Sequence, residues 1–194
     1  MASVYQRVLG SRFRELDPGL HTYFGELPPG AVGRGAGIYD VAGSRHRWLL
    51  PVWAWLATRE VLFPEFGRGI PFTVENRADG PLLRARRTFA FPRRARVMVD
   101  AMAVVEGTLR DRLGRRGGLE VELLLDVVEG GLRMTSRRQW LRLGPVRMRM
   151  PALVRVTLAE TARPAGQHVD VRLTAPLLGE VFRYTGSFTY ELIE

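Results

Sequence analysis

The chain has 194 residues, 46% hydrophobic and 25% charged, a mix that suits one globular domain. It contains no cysteine, so disulfides, cysteine-ligated zinc and thiol nucleophiles are excluded. The formal net charge is +9 and all 29 basic residues are arginine, which favours contact with acidic surfaces, anionic lipid head groups among them. Arginines are scattered through every segment, so codon usage in a GC-rich genome explains the missing lysine as well as a functional preference does.

The N-terminal segment reads as helical. Tyr5, Val8 and Leu9 fall at helical spacing, and Phe13 and Leu16 extend the face. Asp17 is placed to cap a second helix that starts at Pro18, carries Leu20, Tyr23 and Phe24, and stops at Gly25. No apolar stretch of signal-peptide length is present there. After the loop "LPPGAVGRGAG" the chain is extended and glycine-rich near Gly35 to Val41.

"RHRWLLPVWAWLA" (45–57) then holds three of the four tryptophans. Its apolar run of ten residues is about half of what a spanning helix needs. Pro51 suits a first turn, which predicts a helix from about Leu50 to Leu62, ending before Pro64. That helix is apolar on every side, a pattern that normally means burial. Trp53 and Trp55 lie about 200° apart on it, so they cannot face the same wall.

From Ile70 onward the period becomes two. "IPFTVENRAD", "LLRARRTFAF", "RARVMVDAMAVVEG", "LEVELLLDVV", "LRMTSRRQWLRL", "VRVTLAE", "HVDVRLT" and "VFRYTGSFTYEL" read as strands joined by short turns, hence antiparallel. Leu83, Ala85, Phe89 and Phe91 share a face with Arg87; Met98, Met102 and Val104 share one with Asp100. "RLGPVRMRMP" (142–151) reads as a short edge strand whose methionine side fills gaps in the core.

The expected fold is α+β and mainly antiparallel β. It is a strongly curved sheet or partly open barrel of about eight or nine strands, with N-terminal helices and one helix against the concave face. A single domain spans 1–194, with a helical and loop region at 1–66 and the sheet at 67–194.

Catalytic signatures are sparse. No G-x-S-x-G or H-E-x-x-H frame occurs, and His21, His46 and His168 lie far apart, so neither a metal nor a cofactor is expected. "GRGAG" lacks the full dinucleotide frame. No nucleic-acid motif accompanies the positive charge. Asp100 stands out, because a carboxyl in apolar surroundings has a raised pKa and can act as a general acid. Arg87, Arg138 and Tyr184 are its candidate partners for polarising an oxygen; the structural alternative is a surface carboxylate, or one paired with a strand arginine such as Arg87. Trp53, Trp55, Phe89, Met98, Met102, Trp140 and Tyr184 are the candidate residues for an apolar ligand.

Several segments together carry a family resemblance. "LDPGLHTYFG", "GRGAGIYDVAG", "IPFTVENRADG", "RRTFAF", "GGLRMTSRRQWLRLGPVRMRMP" and "PLLGEVFRYTGSF", in that order, resemble the bacterial domain of unknown function 4166 family. The resemblance runs from about Leu9 to Leu192. The pattern differs at Ala85, at Arg147 to Arg149, through 110–118 and at Ser187-Phe188. The family brings no assigned activity, so no residue role is carried over.

The leading expectation is non-catalytic binding of a lipid or other hydrophobic small molecule in the cytoplasm, with peripheral contact at an anionic membrane. One alternative is an isomerase, cyclase or hydrolase acting on a hydrophobic substrate, with Asp100 as acid or base. Another is a structural or partner-binding domain with a filled core, for which the loop 145–151 offers an interaction edge.

Overall fold

Two-residue alternation in the second half of the chain builds one continuous antiparallel sheet. A computed structural model describes residues 2–151 and 153–193. The strands are β1 (Val32–Gly43), β2 (Phe66–Asp79), β3 (Leu82–Phe91), β4 (Arg94–Val105), β5 (Thr108–Leu113) and β6 (Leu119–Val128). They continue as β7 (Gly131–Leu143), β8 (Val146–Met150), β9 (Arg155–Arg163), β10 (Gly166–Ala175) and β11 (Gly179–Ile193). Their order is β6-β5-β4-β3-β2-β1-β11-β10-β9-β7-β8, and a further β6–β7 pairing closes the ring. Ten strands therefore form a closed barrel, with β8 as an extra strand on β7. The barrel is more closed than the expected eight or nine strands, and closure removes nearly every exposed edge.

Closure depends on how β7 divides its edge. β6 pairs along β7 on one side; on the other, Leu132 to Thr135 pair with β9 and Gln139 to Leu143 with β8. A bulge sets Glu122 opposite Arg138 but Leu123 opposite Ser136, so Arg137 is the extra residue. Near the middle of β1 the strands approach closely. A Cβ on Gly37 would crowd the Ser187 carbonyl and lie 2.6 Å from Phe188 Cβ, so only glycine fits there.

Both barrel ends are plugged. At one end sit α1 (Val4–Leu9), a 3-10 turn at Pro18–Leu20 and α2 (His21–Phe24). Ser3 caps α1 in a capping box with Gln6, and its hydroxyl donates to the Phe24 carbonyl at 2.6 Å. Asp17 caps the turn by accepting from Gly19 N at 2.8 Å, and its own N–H donates to the Gly130 carbonyl. Val4, Tyr5, Leu9, Leu16, Leu20, Tyr23 and Phe24 are buried against the barrel.

The opposite end is covered by α3 (Leu50–Ala57) and the segment Val61 to Phe63. The helix ends at Ala57, short of the expected Leu62. Glu60 takes the left-handed conformation (φ 57), and Val61 N–H reaches back to the Leu56 carbonyl, closing the last turn. Of the two tryptophans on α3, Trp53 is 4% exposed and packs near Phe182, whereas Trp55 is 47% exposed. Among the described residues no helix is long and apolar enough to cross a membrane.

Candidate functional site

The lumen is layered. Next to α3 lie the rings of Phe63, Phe89, Phe91 and Phe182, with Phe63 4.7 Å from Phe89 and 5.1 Å from Phe182 between centroids. The middle holds Tyr39 stacked on Phe72 at 3.8 Å, with Tyr184 edge-on at 5.2 Å. Beneath the N-terminal plug the lining turns polar.

Strand alternation explains that polar layer. β3 sends Leu83, Ala85, Arg87, Phe89 and Phe91 inward, so Arg87 lies in the lumen of necessity. Asp100 points inward from β4, where it pairs in register with Ala85, one step from Arg87's partner Met98. Arg87 Nη1 donates to Asp100 Oδ1, with side chains 14% and 4% exposed. Asp111 faces inward from β5 opposite Met102, diagonal to Asp100. Glu160 enters from β9 and accepts a hydrogen bond from Gln167 Nε2. Tyr5 completes the layer, its hydroxyl 3.3 Å from Met102 Sδ.

Burial dominates the titration of this layer. It pushes Glu160 up to about 7, against the opposing pull of Arg87 and the Gln167 hydrogen bond. Asp111 is raised well above the ordinary carboxylate range by burial and then by the Asp100 charge. Asp100 is raised by burial, with Arg87 acting in the opposite direction. Burial alone would lower Arg87, but Asp100 and the surrounding tyrosines hold its proton. Tyr184 rises to about 12, mainly through burial. One cation, Arg87, thus stands beside Asp100, with Asp111 diagonal to Asp100 on the next strand.

The layer is incompletely satisfied by protein. Asp100 Oδ2 and Asp111 Oδ1 are buried and have no hydrogen-bond partner among the described residues. Arg87 keeps slightly more side-chain exposure than Asp100, 14% against 4%. Such orphaned buried acceptors are rare and call for a chemical reason.

Among the candidates named from the sequence, Asp100, Arg87, Tyr184, Trp53, Phe89, Met98 and Met102 converge on the lumen. Three do not. Arg138 lies on the outer wall near Glu122, 43% exposed. Trp140 is also outside, beneath Arg147, whose guanidinium carbon is 3.9 Å from the ring centroid. The bulge at Arg137 causes both: without it, alternation from Leu132 and Met134 would carry Arg138 and Trp140 inward. Trp55 faces away from the barrel and carries Arg59 on its ring at 3.8 Å. In β8 the expected sides are exchanged. Arg147 donates to Glu120 at 2.6 Å, while Val146 and Met148 are exposed.

Asp111, Glu160, Tyr5, Tyr23 and Tyr39 belong to the site but were not singled out from the sequence. Alternation in "TLRDRL" (Leu109, Asp111, Leu113) and in Val156, Leu158, Glu160 was the available signal. The three histidines stay apart, each with a local partner: Leu16 O, Glu180 O and Ser187 Oγ. Among the described residues no group of three or more His, Asp or Glu could hold a metal ion.

Surface hollows lie beside α1, around Ser3, Arg7 and Pro81, and along β1, β2 and β11. The end opposite the N-terminal plug is covered by α3 and by Val61 to Phe63. The helix is anchored at its flanks, where His46 Nε2 lies 2.9 Å from the Glu180 carbonyl and Arg115 N–H donates to the Arg59 carbonyl. Between those points Trp53 and Leu56 are buried and Leu49 packs partly buried against the core, and Trp53 Nε1 is buried without an acceptor.

No curated protein and no solved structure matches the chain. The model of a family described as Domain of unknown function (DUF4166) matches residues 16–188, most of the chain, and the protein belongs to that family.

Proposed function

We propose that the barrel binds a hydrophobic small molecule end-on in its lumen, with a polar group at Arg87, Asp100 and Asp111 and an apolar body among the aromatic rings. The observation that carries this reading is the pair of unpartnered carboxyl oxygens beside Arg87 in a closed, aromatic-lined barrel. Three carboxyls face a single guanidinium, so the site favours a neutral hydroxyl or carbonyl over an anionic head group. Entry proceeds past α3, whose hold on the barrel is apolar and local, and the bound molecule takes the place of side chains that pack the lumen in the free protein. Native mass spectrometry of the purified protein, before and after organic extraction, tests this. An extractable adduct is expected. No adduct, together with no uptake of an added long-chain alcohol, overturns the reading.

A second reading rests on the same residues. Asp100 and Asp111 form a proton-sharing pair suited to acid–base catalysis, of isomerase, cyclase or hydrolase type, on the bound molecule. Conversion of the extracted molecule by wild type but not by Asp100→Asn would establish it; recovery unchanged would leave binding alone.

A further inference from the structure

α3 violates the rule its composition sets. A helix apolar on every side belongs in an interior. Here only Trp53 and Leu56 are buried, while Leu50, Val52 and Trp55 face outward at 39%, 47% and 47% exposure, and Trp48 just before them at 60%. The exposed apolar surface continues beyond the helix. β1 ends at Gly43, which pairs with Phe66 of β2 and Arg183 of β11, so the turn preceding β11 lies at the same rim. That turn presents Leu177 and Leu178, fully and 44% exposed, and Phe66 adds another ring at 40%. Large apolar side chains from three separate chain segments thus gather on one end of the barrel.

The same rim is basic. Glu60, Glu65 and Glu180 are already engaged with Arg115, Arg96 and Arg172. Arg45, Arg47, Arg59, Arg68 and Arg93 have no carboxylate partner among the described residues, and all are exposed. Arg45 and Arg59 lie over Phe66 and Trp55, with their cations beside the apolar patch. Tryptophan and leucine at the tip, ringed by unpaired arginines, match a bilayer interface. The indoles sit at head-group depth and the guanidiniums meet lipid phosphates.

We propose that this end of the barrel docks reversibly on an anionic phospholipid surface, with the α3 mouth facing the membrane. Charge complementarity selects that occupant over a neutral bilayer. The docking face rests on exposed residues alone and holds whether or not the lumen carries a ligand.

Vesicle flotation of the full chain tests it. Vesicles of phosphatidylcholine with roughly a third phosphatidylglycerol should carry the protein upward, and phosphatidylcholine alone should not. Raising salt should weaken the binding. Trp48→Ser with Trp55→Ser, and separately Arg45→Gln with Arg47→Gln, should each weaken it at least about tenfold. These sites are exposed, and an unchanged thermal melt confirms the fold. Absence of flotation by wild type, or equal flotation with neutral vesicles, overturns the proposal. So does vesicle-free self-association abolished by the tryptophan variant, which would assign the patch to a second copy of the chain. A tryptophan variant that stops floating yet keeps an extractable adduct separates this surface from the lumen site.

Discussion

Glu160→Gln isolates one buried charge with little change of shape. The amide oxygen still accepts from Gln167 Nε2, and only the titrating proton is removed. In the folded protein burial pushes Glu160 up to about 7, with Arg87 and Gln167 opposing. In the unfolded chain a glutamate titrates near ~4.3. Between those values the folded state binds the extra proton. Stability from this group is therefore greatest at low pH, falls as pH rises from ~4.3 to about 7, and is level above. The gap of roughly 2.7 on the pKa scale, at about 1.4 kcal/mol each, sets a loss of about 3–4 kcal/mol. Urea unfolding of wild type and variant, from about pH 4.5 to about pH 8, measures it. The wild type should lose about that much stability relative to the variant across the range. Parallel curves for the two proteins would refute the placement of Glu160 as a buried, proton-holding carboxyl.

Other substitutions test the remaining parts. Arg87→Met leaves Asp100 buried without its cation and should destabilise by about 3–5 kcal/mol in urea unfolding, with part recovered by adding Asp100→Asn. An effect below about 1 kcal/mol would show that the pair is hydrated. Trp53→Ala should cost about 3–5 kcal/mol and Trp55→Ala under about 1 kcal/mol, because only Trp53 is packed; equal losses in a thermal melt would contradict the orientation of α3. Gly37→Ala should cost about 1–3 kcal/mol through crowding of β11 at Ser187 and Phe188. A variant as stable as wild type would mean that β1 and β11 are not so close.

The two-residue alternation made most of the sheet legible, because a half-buried strand must separate its faces by period. The same rule puts Arg87 on a face with Leu83, Ala85 and Phe89, and Asp100 on one with Met98 and Met102; only the closed barrel makes both faces inward. β5 was hidden, since Arg110 and Arg112 flank Asp111 and the segment reads as polar. Its alternation shows only once Leu109 and Leu113 are known to face a lumen. Barrel closure was not legible either. It depends on β7 sharing one edge between β8 and β9, a long-range pairing that leaves no local signal. The bulge at Arg137 sets Arg138 and Trp140 on the outer wall, since one inserted residue exchanges the two faces of everything beyond it. Glu160 shares a face with Val156 and Leu158 by alternation, but only closure, which brings β9 across from β3, places that face at the site.

The central claim is that an apolar molecule lies in the lumen with its polar end at Arg87, Asp100 and Asp111. Photo-crosslinking with a long-chain alcohol carrying an alkyl diazirine, followed by peptide mapping, tests it most directly. The account predicts labels on inward positions such as Phe89, Met98, Met102 and Tyr184, suppressed by excess unlabelled alcohol and reduced in Asp100→Leu. Labels confined to Trp48, Trp55, Leu177 and their neighbours, with the lumen positions untouched, would contradict it.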